Sequence, residues 1–211
     1  ISFSGLLPNT LYVVQVFAGL DSEYDTAQFE SASAETFPAP TSSIVFADDD
    51  STSISASWTG AAGANEYQLL LTDTDNGTSS APVTVSGGTS YSLTGLRSHT
   101  HYTLTVFSGV NGIGFEAVGN SASFLTRPAP ATSLQCSGAT FSSFVVSWTG
   151  SIGAAVYNVT SSGVTRQTIG TSCSFDGLTP AVALTVVVYA GDSDGFGSVG
   201  STISCLTLTL P

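Results

Sequence analysis

The sequence predicts an all-β protein of antiparallel sandwiches that follow one another along the chain. Three observations carry the prediction. Apolar residues alternate with serine and threonine, as in Ile54, Ala56 and Trp58 or Phe144, Val146 and Trp148, which is the period-two pattern of a strand with one buried face. A block of 90 residues recurs: Pro38-Ala39-Pro40 returns as Pro128-Ala129-Pro130, and Ser57-Trp58-Thr59-Gly60 as Ser147-Trp148-Thr149-Gly150. No window carries the apolar stripe of an amphipathic helix.

Within the repeat the elements read in order. Ile44 opens a first strand, and Ile54, Ala56 and Trp58 mark the second. Tyr67, Leu69 and Leu71 form the third, closed by Asp75-Asn76-Gly77, a turn sequence that favours a hairpin. Strands then follow at Tyr91 to Leu93, Tyr102 to Phe107 and Val118 to Leu125. About seven short strands in roughly 90 residues indicate a sandwich. In the third copy Ile44, Ile54, Ala56, Trp58 and Tyr67 become Leu134, Phe144, Val146, Trp148 and Tyr157, and a few residues are missing after Tyr157. Counting back from Leu96, Tyr102, Leu104 and Val106 finds Leu6, Tyr12, Val14 and Val16, so the first copy starts in its middle.

Composition narrows the function classes. Only 9% of the 211 residues are charged, against about 25% in ordinary soluble domains. The net charge is -12, with no lysine and with Arg97, Arg127 and Arg166 far apart. That balance argues against nucleic acid, whose binding needs clustered cations, and against an anionic membrane surface. No apolar run reaches the ~18 residues of a membrane helix, and Ile1 opens into a strand-like alternation with no visible signal peptide. The sequons Asn76-Gly77-Thr78 and Asn158-Val159-Thr160 are candidate N-glycosylation sites. With the cysteines and the hydroxyl-rich strands, they favour an extracellular, secreted or cell-surface setting.

Gly5-Leu6-Leu7-Pro8-Asn9-Thr10-Leu11-Tyr12 resembles the signature that precedes strand F in the fibronectin type III family. Trp58 and Trp148 stand where that family places its strand-B tryptophan, and Tyr67 and Tyr157 match its strand-C tyrosine. The resemblance implies tandem fibronectin type III, immunoglobulin-like sandwiches arranged end to end. Residues 1–38 would be a partial domain with strands E to G, and residues 39–128 and 129–211 complete domains. It also implies a tyrosine corner at Tyr12 and Tyr102, whose hydroxyl bonds back to the chain upstream. The second copy departs from the signature at Ser98, where the proline stood. The third has Leu184 for the tyrosine and is expected to lack the corner bond.

Cys136 takes the place of Phe46, and Cys205 that of Phe124, both with inward parity. A Cys136–Cys205 disulfide and a pair of small buried thiols both fit this placement. Cys173, aligned with Tyr91, is then unpaired and expected to be buried.

Acidic residues cluster at Asp48-Asp49-Asp50, Asp73-Thr74-Asp75-Asn76, Asp21, Glu23 and Asp25, and Asp192 and Asp194. Their spacing does not match an EF-hand loop, so solvated turn aspartates are the expected reading, and no metal is assigned. His99 and His101, on one side of an extended segment, could begin a zinc site, but no further histidine exists. Neither a nucleophile beside a base nor a carboxylate pair across a cleft is apparent, so no catalytic or cofactor-binding residue is assigned. Gly114-Phe115 and Gly195-Phe196 recur in the F–G loops, where the phenylalanine is expected to pack on its own or the adjacent domain. Two of three residues in Pro-Ala-Pro have φ fixed, which stiffens the link.

The expectation is a non-enzymatic rod, stalk or filament subunit of an extracellular repeat protein. Its partners would be neighbouring domains of a longer chain or copies of itself. An adhesion module for a protein or carbohydrate ligand, or a spacer in a secreted polysaccharide-degrading enzyme, are the competing readings.

Overall fold

Every regular element among the described residues is a strand, and in the core strands such as Ser53–Thr59 and Ser143–Thr149 apolar residues alternate with hydroxyl residues or another β-branched residue. The computed structural model describes residues 1–20, 23–47 and 50–210. In the first unit, β1 (Leu11–Leu20) and β2 (Glu23–Glu35) pair as an antiparallel ribbon from Leu11 opposite Glu35 to Leu20 opposite Glu23. Of the strands E, F and G expected over residues 1–38, F and G form and E does not. In the second unit strand E is hydrogen-bonded to strand B. The described residues 1–38 hold no strand B, so Ser2-Phe3-Ser4 has no ladder to join.

The second unit runs through β3 (Ser42–Ala47), β4 (Ser53–Thr59), β5 (Glu66–Asp73), β6 (Thr78–Ser79), β7 (Val83–Ser86), β8 (Ser90–Thr94), β9 (His101–Val110), β10 (Gly114–Phe115) and β11 (Asn120–Leu125). One sheet has the order β3-β4-β8. The other is built on β5 paired with β9, with β6 and β7 along the far side of β5 and β10 and β11 along that of β9. These are strands A-B-E against C′-C-F-G. Strand G, expected from Val118, begins at Asn120.

The third unit repeats this with β12 (Thr132–Ser137), β13 (Ser143–Thr149), β14 (Val156–Ser161), β15 (Val164–Thr168), β16 (Ser172–Asp176), β17 (Ala183–Asp192), β18 (Gly195–Phe196) and β19 (Ser201–Leu206). The residues missing after Tyr157 have a local consequence: β14 and β15 join through Ser162 and Gly163, with φ of 50° and 79°. Two positive φ values in a two-residue loop fit the right-handed twist of the strands it connects.

The cores are the inward parities read from the sequence. Trp58 meets Tyr67 edge-on at 5.4 Å between ring centroids, and Trp148 meets Tyr157 at 5.3 Å. Leu104, Val106, Val186 and Val188 are fully buried on the opposing sheets. At the sandwich edge of the second unit, Phe46 packs on Phe124 at 4.6 Å and Phe124 stacks on Tyr102 at 5.5 Å. In the third, Cys136 and Cys205 are joined by a disulfide across the same edge, with Cα atoms 5.7 Å apart. Cys205 is buried, whereas Cys136 lies exposed on the edge strand despite its inward parity.

Candidate functional site

The places where one unit meets the next hold recurring side-chain chemistry, and each is assembled by the loop that precedes strand F. A threonine just after strand G holds that loop in all three units. Thr36, Thr126 and Thr207 donate their hydroxyls to the Leu7, Arg97 and Thr179 carbonyls at 2.6–2.7 Å. The same oxygens accept the Thr10, Thr100 and Val182 amides at 3.0–3.1 Å. Where strand F carries a tyrosine a second tie forms, for the Tyr12 and Tyr102 hydroxyls accept the Leu7 and Arg97 amides at 2.8 and 2.9 Å. Leu184 occupies that position in the third unit, opposite Cys205 on β19.

Held in this way, the loop tip takes a left-handed backbone at Asn9, His99 and Ala181, with φ of 48°, 46° and 55°. Each tip amide donates to the carbonyl of the residue after the threonine, namely Phe37, Arg127 and Leu208, at 3.0–3.1 Å. Tip and linker residue are therefore presented side by side at the end of each unit.

The following sandwich meets them with glycines. Gly63 leaves room for the Asn9 carboxamide and Gly153 for the His99 ring, and a Cβ on either glycine would overlap that side chain. His99 Nδ1 is buried without a hydrogen-bond partner among the described residues, so its contact is one of shape. The linker residue lies against the base of the next F–G hairpin. A Cβ on Gly114 would be 3.9 Å from the Phe37 ring, and one on Gly195 would be 3.5 Å from Arg127 Nη2. Arg127 Nη1 donates to Asp192 Oδ1 at 2.8 Å, with side chains 12% and 7% exposed. Pro38 and Pro128 are fully buried, and Ser108 Oγ donates to the Ala39 carbonyl at 2.7 Å.

The hairpin base is itself built around a glycine under an aromatic ring. Cβ atoms on Gly109 and Gly191 would lie 2.5 Å from the Phe115 and Phe196 rings, so each phenylalanine packs within its own sandwich. The first unit does the same with Gly19 and Tyr24, which the Gly-Phe pattern did not reveal. The threonine ties were also unread, although Thr36, Thr126 and Thr207 stand two residues before the linker proline or its equivalent.

Other expectations need correction. Asp73 and Asp192 are not solvated turn aspartates. Asp73 is buried, and its carboxylate accepts the Asn76 amide at 3.0 Å and the Asn76 Nδ2 at 2.8 Å, which closes the turn. Asp192 is spent on Arg127 and on the Asp194 amide. His99 and His101 do not share one side of an extended segment, because the left-handed backbone at His99 turns it to the junction. His101 instead lies by Asp75, with Nδ1 3.2 Å from Oδ1. Among the described residues no group of three or more His, Cys, Asp or Glu could hold a metal. Asp21, Asp48 and Asp49 lie outside the described residues. Cys173 is free and half-buried on β16 instead of buried, and burial pushes its thiol up against the opposing influence of Arg166. Asn158 lies half-buried on β14, and Asn76 is in the β5–β6 turn.

The fibronectin type III domain family model matches residues 38–124. Those residues belong to the fibronectin type III family. Outside them, the third unit repeats the sheet order of the second, and the first is the β1–β2 ribbon. Receptor-type tyrosine-protein phosphatase eta of Gallus gallus is 31% identical over 135 residues, which are 63% of this chain and 9% of that protein. The match thus spans under a tenth of that relative. A two fibronectin type-III domain segment from chicken tenascin superposes with a TM-score of 0.45 at 18% identity, covering 80% of this chain and all of that one. The FN1–FN3 domains of chicken CNTN1 give 0.44 at 18% identity, covering 97% and 80%.

Proposed function

We propose that this chain is a non-enzymatic structural segment of an extracellular or cell-surface repeat protein, in which fibronectin type III sandwiches are locked into a stiff rod or stalk. The observation that carries the reading is the junction chemistry. Loop tip, linker residue and buried proline of one sandwich pack on the next, and the Arg127–Asp192 ion pair is nearly sheltered from water. A tether of free polar residues would make no such contacts. Its partners are neighbouring sandwiches of a longer chain or copies in a filament, and glycans at Asn76 and Asn158 would add to the hydroxyl-rich, lysine-free surface.

Small-angle X-ray scattering on the chain, with electron microscopy of native material, tests the reading. A rod whose length is that of the units laid end to end is expected. A flexible string or a collapsed particle would overturn it.

A further inference from the structure

The Ser108 hydroxyl of β9 stands between two acceptors. Its Oγ lies 2.7 Å from the Ala39 carbonyl of the Pro-Ala-Pro linker and 3.3 Å from Glu116 Oε1, just past β10. A serine hydroxyl has one proton to donate. Ser108 is fully buried, so no water stands in for it at the acceptor that loses. The shorter contact is the one to the linker.

The protonation state of Glu116 decides the contest. Protonated, its carboxyl has an O–H that donates to Ser108 Oγ, and the Ser108 proton is left to the Ala39 carbonyl. Ionised, it is a second acceptor, and a carboxylate draws a hydroxyl proton more strongly than a peptide carbonyl does. Burial raises the Glu116 carboxyl above the ordinary glutamate value, with the Ser108 hydrogen bond opposing. A raised folded-state value means that the protonated arrangement is favoured in acid and is lost as pH rises through that value. Among the described residues no charged neighbour complicates this. The linker, residues 108–115 and residues 117–125 carry no charge. Glu66 on β5 lies opposite Gly109, hence on the sheet face away from Ser108, and Asp73 and His101 stand at the far ends of β5 and β9. Glu35 of β2 is paired with Leu11, back along the first unit.

The Ser108–Glu116 pair is an addition to a frame that does without it. Glu116 and Gly197 donate their amides to the Ser108 and Ala190 carbonyls at 3.0 and 3.1 Å, so the two F–G bases share one backbone arrangement. The third sandwich thus has alanine where the hydroxyl stands and glycine where the carboxyl stands, and neither side chain is needed to build the base. We propose that Glu116 is a proton-operated latch on the linker that enters the second sandwich: protonated, it commits the Ser108 hydroxyl to Ala39, and ionised, it takes that hydroxyl away. The latch concerns one linker and does not rest on the rod reading.

NMR of the isotope-labelled full chain tests the latch by following the Glu116 carboxyl carbon and the Ala39 carbonyl carbon from acid to neutral pH. Both are expected to shift with one midpoint, and the Ala39 amide to be more ordered below it than above. In Ser108→Ala the Glu116 carboxyl is expected to titrate still while the Ala39 carbonyl loses its response. In Glu116→Gln that response is expected to vanish as well. Amide shifts within β5 and β9 report that the sandwich stays folded in each variant. An Ala39 carbonyl that ignores the Glu116 titration in the unaltered chain overturns the latch. So does one that still follows it in Ser108→Ala, which would mark a direct field effect of the charge. An Ala39 amide equally ordered on both sides of the midpoint overturns it too.

Discussion

Cys136 is bonded to Cys205 across the edge at which the second sandwich packs Phe46 on Phe124. The third sandwich has thus exchanged an aromatic stack, together with the corner tyrosine that completes it, for a covalent closure of 69 residues. A bond that shortens so large a loop in the unfolded chain contributes about 2–4 kcal/mol. The Cys136→Ala/Cys205→Ala variant should lose about that much from the third sandwich and leave the second unchanged. Denaturation followed through Trp148 in a Trp58→Phe background reads it. Equal midpoints with and without the bond would show that the closure contributes nothing.

The threonine ties make a second prediction. Thr126→Val removes the donor to the Arg97 carbonyl and the acceptor of the Thr100 amide, both at the buried root of the loop. A buried group left without its partner costs about 1–3 kcal/mol. Tyr102→Phe, which leaves only the Arg97 amide without its acceptor, should cost about 0.5–1.5 kcal/mol. Urea unfolding of the second sandwich should rank the two variants in that order.

Gly191 sits beneath Phe196 with an ordinary backbone, so the effect of Gly191→Ala is one of space and not of conformation. The new methyl should displace the ring and the F–G base, with an overpacking cost of about 1–3 kcal/mol. The new methyl would also lie 2.7 Å from the Gly195 carbonyl oxygen, so adding Phe196→Ala should recover only part of the order of the Asp192 and Gly195 amides. Protection from hydrogen exchange at these two positions is the measurement, and an undisturbed single variant would refute the packing account.

Asp75 provides a pH dependence with a definite sign. The His101 amide, donated to its Oδ2 at 2.9 Å, holds the carboxyl below the ordinary aspartate value, with burial opposing. A depressed folded-state value means that the stabilisation is complete above the unfolded aspartate's value and disappears as pH falls through the folded one. Glu116 runs the other way. Burial raises its carboxyl against the Ser108 hydrogen bond, so its contribution is greatest in acid and falls as pH rises through the raised value. Asp75→Asn should therefore flatten the acid limb of the melting curve for the second sandwich, whereas Glu116→Gln should steepen it. Parallel acid limbs in all three proteins would refute the assignment.

What the sequence determined by itself is periodic or repeated. Alternation along Ile54, Ala56 and Trp58 sets which side chains face inward, because side chains on a strand point to opposite faces in turn. The 90-residue offset from Pro38 to Pro128 marks the units, and Tyr12 and Tyr102 announce the corner bonds that the structure contains. The tertiary structure alone decided which distant residues meet, within a unit and between units. Thr126 and Arg97 are 29 positions apart, and Arg127 and Asp192 are 65 apart, with no pattern in the intervening chain to join them. The fate of the aspartates was equally unreadable, since a turn carboxylate on bare sequence grounds faces water. Asp73 is buried by its own turn, and Asp192 by the cation that the preceding sandwich extends to it. Period and composition are local properties of a chain, whereas the shelter that turns an aspartate into a junction partner exists only after two sandwiches have met.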